Sequence, residues 1–196
     1  MKAILRIGFL ALAIIALAVP AHAGPWEDGV AATKRGDYVT ALRLWRPLAE
    51  QGDAFAQAAI GTIYRDGLGV PQDDAEAVKW FRMAAEQGQP DAQNRLGDMY
   101  YHGLIVTQDY GEAAKWHRKA AEQGVAFAQT TLGVSYANGQ GVPKDYVLAY
   151  MWYNLAAAQD NPFAKQFRDK LASKMTSDQI AEAQRMAREW MAKHQQ

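Results

Sequence analysis

The chain has 196 residues, with 21 lysines and arginines against 21 aspartates and glutamates, and 49% of it is hydrophobic. Balanced charge excludes the basic excess that marks a nucleic-acid binder and the polybasic cluster that anchors a protein on an anionic membrane. The apolar content suffices for a packed core, which excludes a disordered chain. Cysteine is absent, which removes disulfides, thiolate metal ligands, cysteine nucleophiles and a lipoprotein anchor. The histidines are His22, His102, His117 and His194, no two of them at metal-ligand spacing, so neither a metal nor a cofactor is expected.

The N-terminus opens with Lys2 and Arg6, continues as an apolar run from Ile7 to Val19, and ends in Ala21-His22-Ala23. A positive region, a short apolar stretch and an Ala-x-Ala site, in that order, are the features of a secretory signal peptide. The run is too short for a helix spanning the roughly 30 Å of a bilayer core. Residues 1–23 are therefore expected to be cleaved after Ala23, leaving a chain with no membrane span in the periplasm or outside the cell. Residues 24–52 follow as a capping half-repeat, with an opening helix from Trp26 to Arg35 and Gly36-Asp37-Tyr38 behind it.

From there the sequence repeats. Trp80, Trp116 and Trp152 share one spacing of 36 with Gly61, Gly97 and Gly133, with Tyr64, Tyr100 and Tyr136, and with Asp73, Asp109 and Asp145. Fixed-period self-similarity means stacked units, none able to bury its apolar face alone. Three units are expected at about 53–88, 89–124 and 125–160. In the first, helix A runs from about Ala54 to Arg65 with Ala56, Ala59, Ile60 and Ile63 inward, and Gly67 ends it in left-handed backbone. Asp73 begins helix B as its N-cap, with Glu76 as reciprocal partner; Asp109 and Glu112 repeat the pair. Helix B then carries Ala77, Trp80, Phe81 and Ala84 at helical spacing. The glycines at 61, 97 and 133 fall mid-helix, where each costs about 0.5–1 kcal/mol relative to Ala, so they are expected to let helix B and its Trp approach closely. Residues 161–196 complete the chain as capping helices. One carries Phe163, Phe167 and Leu171; the last is capped by Thr176 with Gln179 and shows Asp178, Glu182, Arg185 and Glu189 on its outer side.

Ala92-Gln93, Leu96-Gly97, Tyr100, Gly103, Val106, Asp109, Ala113, Trp116 and Ala120-Ala121 make up a pattern that resembles the Sel1-like repeat family, relatives of the tetratricopeptide repeats. The 36-residue unit and the Gly-x-Gly-Val connector separate it from the 34-residue tetratricopeptide unit. Ile105 departs from the pattern, standing where 69 and 141 hold Gly. The resemblance implies an all-α fold, a right-handed α-solenoid of antiparallel helix pairs, with the A helices along a concave face.

Little in the chain suggests chemistry. Gly133-Val-Ser135 looks like part of a nucleophile elbow, but that motif needs a strand-to-helix turn and Ser135 falls inside helix A. His117 takes the slot of Phe81 and Tyr153 as a packed or half-exposed ring, and the tryptophans form a core stripe. No catalytic residue is assigned and no enzyme is expected. Stacking does not call for Arg95, Asp98, Tyr101 and His102, which with Arg65 form the candidate partner-facing patch. What the resemblance implies is a non-enzymatic periplasmic scaffold or adaptor holding a protein partner, such as an envelope or membrane sensor protein, in envelope assembly or signalling. A second reading, drawn from secreted disulfide-rich relatives, is peptidoglycan association or β-lactam hydrolysis; this chain lacks their cysteines.

Overall fold

The computed structural model describes residues 24–104 and 106–194. The assigned leader and the Ile105 substitution lie outside the described residues. Ten α-helices and no strand occur among those described: α1 (Pro25–Lys34), α2 (Tyr38–Glu50), α3 (Ala54–Asp66), α4 (Asp74–Glu86), α5 (Pro90–His102), α6 (Tyr110–Glu122), α7 (Ala126–Asn138), α8 (Tyr146–Ala157), α9 (Pro162–Ala172) and α10 (Ser177–His194). Each of α1 to α9 packs on its chain neighbours, as in a one-dimensional stack, and α10 folds back onto α8. The odd-numbered helices α1 to α9 form one layer, here the A layer, and α2 to α8 the other. The α1–α2 pair turns in three residues where α3–α4 uses seven.

The core is a chain of small clusters rather than one centre. Trp80 packs back among α1, α2 and α3, Trp116 among α4 and α5, and Trp152 among the residues of α6 to α8 and α10. All three are less than a tenth exposed, so they are core groups. Burying such an aromatic side chain contributes about 1.5–3 kcal/mol.

The mid-helix glycines do allow close approach, but the group they admit is not the tryptophan. It is the residue after it. A Cβ built on Gly61 would stand 2.9 Å from the Phe81 ring, one on Gly97 would stand 2.6 Å from the His117 ring, and one on Gly133 would stand 2.5 Å from that of Tyr153. Gly29 admits Trp45 in the same way. The tryptophan is one position round the helix and points into the preceding pair.

Two polar ladders bind one pair to the next. Buried Gln57, Gln93 and Gln129 donate from Nε2 to the carbonyls of Ala49, Ala85 and Ala121 in the preceding helix. Each accepts at Oε1 from Gln87, Gln123 or Gln159, which follows the B helix of its own pair. On the other side Arg46, Arg82 and Arg118 donate to the hydroxyls of Tyr64, Tyr100 and Tyr136, at 2.7, 3.0 and 2.7 Å. The last B helix has Asn154 at this position, and Arg168 of α9 donates to it.

The expected capping boxes at Asp73–Glu76 and Asp109–Glu112 are only half made. The aspartates accept from the backbone as N-caps. Their own N–H groups, which the box would give to glutamate, are already donated to the carbonyls of Tyr64 and Tyr100 at the end of helix A. Glu76 is thereby free to accept from Trp80 Nε1 and Lys79, and Glu112 from Lys115. Thr176 and Gln179, which have no such competitor, form the complete reciprocal box.

In the capping segment, Leu171 is buried and Phe167 half-buried, but Phe163 is 54% exposed. It occupies the second position of an A-type helix, as do Phe55 and Phe127, which are also exposed. Asp160 takes the left-handed backbone that Gly88 and Gly124 adopt after the earlier B helices.

Candidate protein-docking groove

Neighbouring A helices scarcely touch, so the B helix between them forms the floor of a groove. Between α3 and α5 that floor is Phe81, which rests on Gly61 and carries the Arg65 guanidinium 5.9 Å above its ring centroid. The groove has two halves. One, of about 430 Å³, is lined by Trp26, Phe55, Thr62, Phe81 and Arg95 among others. The other, of about 300 Å³, is lined by Arg65, Asp74, Arg95, Asp98, His102 and Leu104 with Met99. Arg95 belongs to both, at the junction of an aromatic half and a charged half.

Four of the five sequence candidates therefore converge on one groove. Arg65 is held by a two-pronged contact with Asp66 at 2.7 and 2.8 Å, and that hydrogen bond keeps the Asp66 carboxyl below its ordinary pKa. Arg95 is exposed and makes no ion pair among the described residues. Asp98 Oδ1 lies 3.0 Å from His117 Nε2, and its Oδ2 accepts a long 3.4 Å contact from Asn94. Tyr101 goes elsewhere: its hydroxyl donates to Gln140 Oε1 at 3.1 Å in the next connector, and its ring packs edge-on against Tyr110. It ties the second repeat to the third and does not line this groove.

His117 is fully buried, not half-exposed. A ring placed on Gly97 under α5 has no path to solvent, and its second nitrogen has no hydrogen-bond partner among the described residues. Ser135 is 1% exposed and equally unpartnered. A serine inside a helix, sealed from substrate and with no base in hydrogen-bond reach, is not placed to act as a nucleophile. Among the described residues no cluster of His, Asp or Glu is arranged to hold a metal ion, and no helix is long and apolar enough to cross a membrane.

Sequence reasoning missed the aromatic half of the groove. Trp26 and Phe55 meet edge to face at 6.4 Å, with Phe55 61% exposed. The signal was present in Phe55, Phe127 and Phe163, which recur at the repeat spacing at a position where the second repeat has Asp91.

Comparison with known proteins agrees with this architecture. The model of the Sel1 repeat matches four times, over residues 12–53, 54–89, 90–125 and 126–161. The first match begins inside the segment assigned to the leader. A Sel1 repeat protein from Oxalobacter formigenes is 44% identical, with a TM-score of 0.61, over 64% of this chain and 95% of its own. A protective antigen of uropathogenic Escherichia coli displaying an SLR fold is 33% identical, with a TM-score of 0.75, over 86% of this chain. This chain spans 41% of that antigen's length. No functionally curated protein matches. With matched repeats from residue 12 to 161 and helix pairs throughout, the chain belongs to the Sel1 repeat family, an all-α solenoid scaffold of the kind that commonly mediates protein–protein interaction.

Proposed function

We propose that this protein is a non-enzymatic, periplasmic protein-binding scaffold whose A-helix face, taken as the concave one, holds a segment of an envelope protein in assembly or signalling. One observation carries the reading: Arg65, Arg95, Asp98 and His102, none of which repeat stacking requires, converge on the α3–α5 groove, which continues into the aromatic surface of Trp26, Phe55 and Phe81. A rigid groove with an apolar end and a separate charged end fixes both the position and the direction of an extended segment. Exposed Arg and aromatic anchors are the groups that dominate such interfaces. The helix pairs preorganise the site, so little ordering cost falls on the scaffold when the partner binds. The sealed position of Ser135 supports a role without catalysis.

The test is expression of the full sequence in a double-membrane bacterium, followed by fractionation and affinity recovery. The processed protein is expected in the periplasmic fraction with Gly24 at its N-terminus. A defined envelope protein is expected to co-purify with it and to be lost from Arg95→Glu and Thr62→Arg variants that melt like wild type. Co-purification unchanged in both variants would overturn the groove, and an unprocessed cytoplasmic protein would overturn the location.

A further inference from the structure

At the other end of the A layer lies a second cavity, of about 340 Å³, between α7 and α9, floored by Tyr153 on Gly133. Its walls are Val134, Ala137, Tyr146, Phe167 and Leu171, with Lys170 and Lys174 at the rim. The lining contains no acid. Lys170 and Lys174 are exposed and form no ion pair among the described residues. Lys144 lies outside the lining, with its ammonium 4.8 Å from the centroid of the Tyr146 ring. Tyr153 is 3% exposed, and its hydroxyl makes no hydrogen bond to a described residue. Burial raises its pKa above the ordinary tyrosine value, so it stays a neutral donor.

The repeat lets this cavity be compared position by position with the α3–α5 groove. Two units after Asp98 and His102 the repeat register holds Lys170, in α9, and Lys174, just beyond its end, and Phe167 stands where Arg95 does. The face is thus graded in charge: around the first groove Arg65 and Arg95 are set against Asp74, Asp91 and Asp98, and around the last lysines stand alone. An acidic group meets charges of both signs at the first and cations only at the last.

We propose that the α7–α9 cup is a second subsite of the docking face and takes a partner-protein segment in which an Asp or Glu stands beside an aromatic or branched apolar residue. The apolar side chain fills the space over Tyr153, Phe167 and Leu171. The carboxylate meets the ammonium groups of Lys170 and Lys174 and accepts from the Tyr153 hydroxyl. This deepens the scaffold reading and rests on it. The grading gives the bound segment a direction, with its acidic end at the C-terminal end of the solenoid.

The experiment is selection of a random dodecapeptide display library on the protein purified after expression of the full sequence. Selected peptides are then assayed against Lys170→Glu/Lys174→Glu, Tyr153→Phe and Arg95→Glu variants whose melting matches wild type. Enrichment of peptides with an acid next to an aromatic or branched residue is expected. Their Kd should rise about tenfold or more in the double lysine variant, as expected for reversed charges facing a carboxylate. It should also rise in Tyr153→Phe, which keeps the ring and loses only the donor. Peptides without that bias, or bound equally by the double variant, would overturn the cup. Peptides lost only on Arg95→Glu would overturn the cup and leave the scaffold reading standing, whereas no enrichment at all would count against both. Flotation with phosphatidylglycerol vesicles, lost in the double variant and without peptide enrichment, would overturn the proposal in favour of a lipid ligand.

Discussion

The His117 imidazole lies flush on Gly97 with its Nε2 3.0 Å from the Asp98 carboxylate, so a buried ring in helix B fixes a half-exposed acid on the A-helix face. In the flanking repeats the same slot holds Phe81 and Tyr153, and the facing positions hold Thr62 and Val134. The central repeat has exchanged an apolar contact for a polar one where core meets groove.

Gly97→Ala tests the close approach. In an open helix this change would stabilise by about 0.5–1 kcal/mol. Here the new Cβ would stand 2.6 Å from His117 Cδ2, so a loss of about 1–3 kcal/mol is expected from overpacking. In a His117→Ala background most of that cost should vanish, giving a coupling of about 1 kcal/mol or more in urea denaturation. Additive effects would contradict the contact.

His117→Phe restores the residue type found over Gly61. It removes a buried ring nitrogen with no partner among the described residues, a group whose burial costs about 1–3 kcal/mol, and leaves Asp98 able to reach water. The variant is expected to gain about 1 kcal/mol in thermal or urea unfolding. A loss of that size would show that the His117–Asp98 contact stabilises the fold.

The glutamine ladder predicts a different outcome for Gln93→Leu. The substitution keeps the volume but removes two hydrogen bonds, leaving the Ala85 carbonyl with Gly88 N–H alone and the exposed Gln123 amide with the Gly88 carbonyl alone. A loss of about 1–2 kcal/mol is expected. The equivalent change at exposed Gln87 should cost clearly less.

Asp66 carries a pH dependence with a definite sign. Its hydrogen bond to Arg65 lowers its folded pKa, so its contribution is present above the unfolded value of about 3.9 and disappears as pH falls through the folded one. The carboxylate is 41% exposed, which limits the effect to under about 1 kcal/mol. Asp66→Asn should therefore lose a little stability near pH 7, and the two proteins should converge in acid. A difference that grows in acid would contradict the pairing.

The repeat made most of the fold legible. Every element from α3 to α8 follows from the spacing of Gly, Asp, Ala and Trp, because each helix packs chiefly on its neighbours in the chain. The site was legible only where a residue broke the repeat. Arg95, Asp98 and His102 stood out in that way, and they share a groove. Tyr101 stood out equally, but its partner is Gln140 in a connector, a contact that helix periodicity does not encode. The aromatic half was hidden for the opposite reason: Phe55 recurs as Phe127 and Phe163 and so does not stand out against the repeat, although the second position of an A helix faces outward. Glu76 was misassigned because the competing acceptor, the Tyr64 carbonyl, belongs to another helix.

Docking of a partner on the A-helix face is decided by site-specific photocrosslinking in cells that express the full sequence, with the crosslinking residue at Thr62 or His102 in the groove and at Lys79 or Lys115 on the B helices. Adducts of one and the same protein are expected from both groove positions, lost with Arg95→Glu, with little or none of it from the B-helix positions. Adducts of equal yield from Lys79 and Lys115, unaffected by Arg95→Glu, would contradict it.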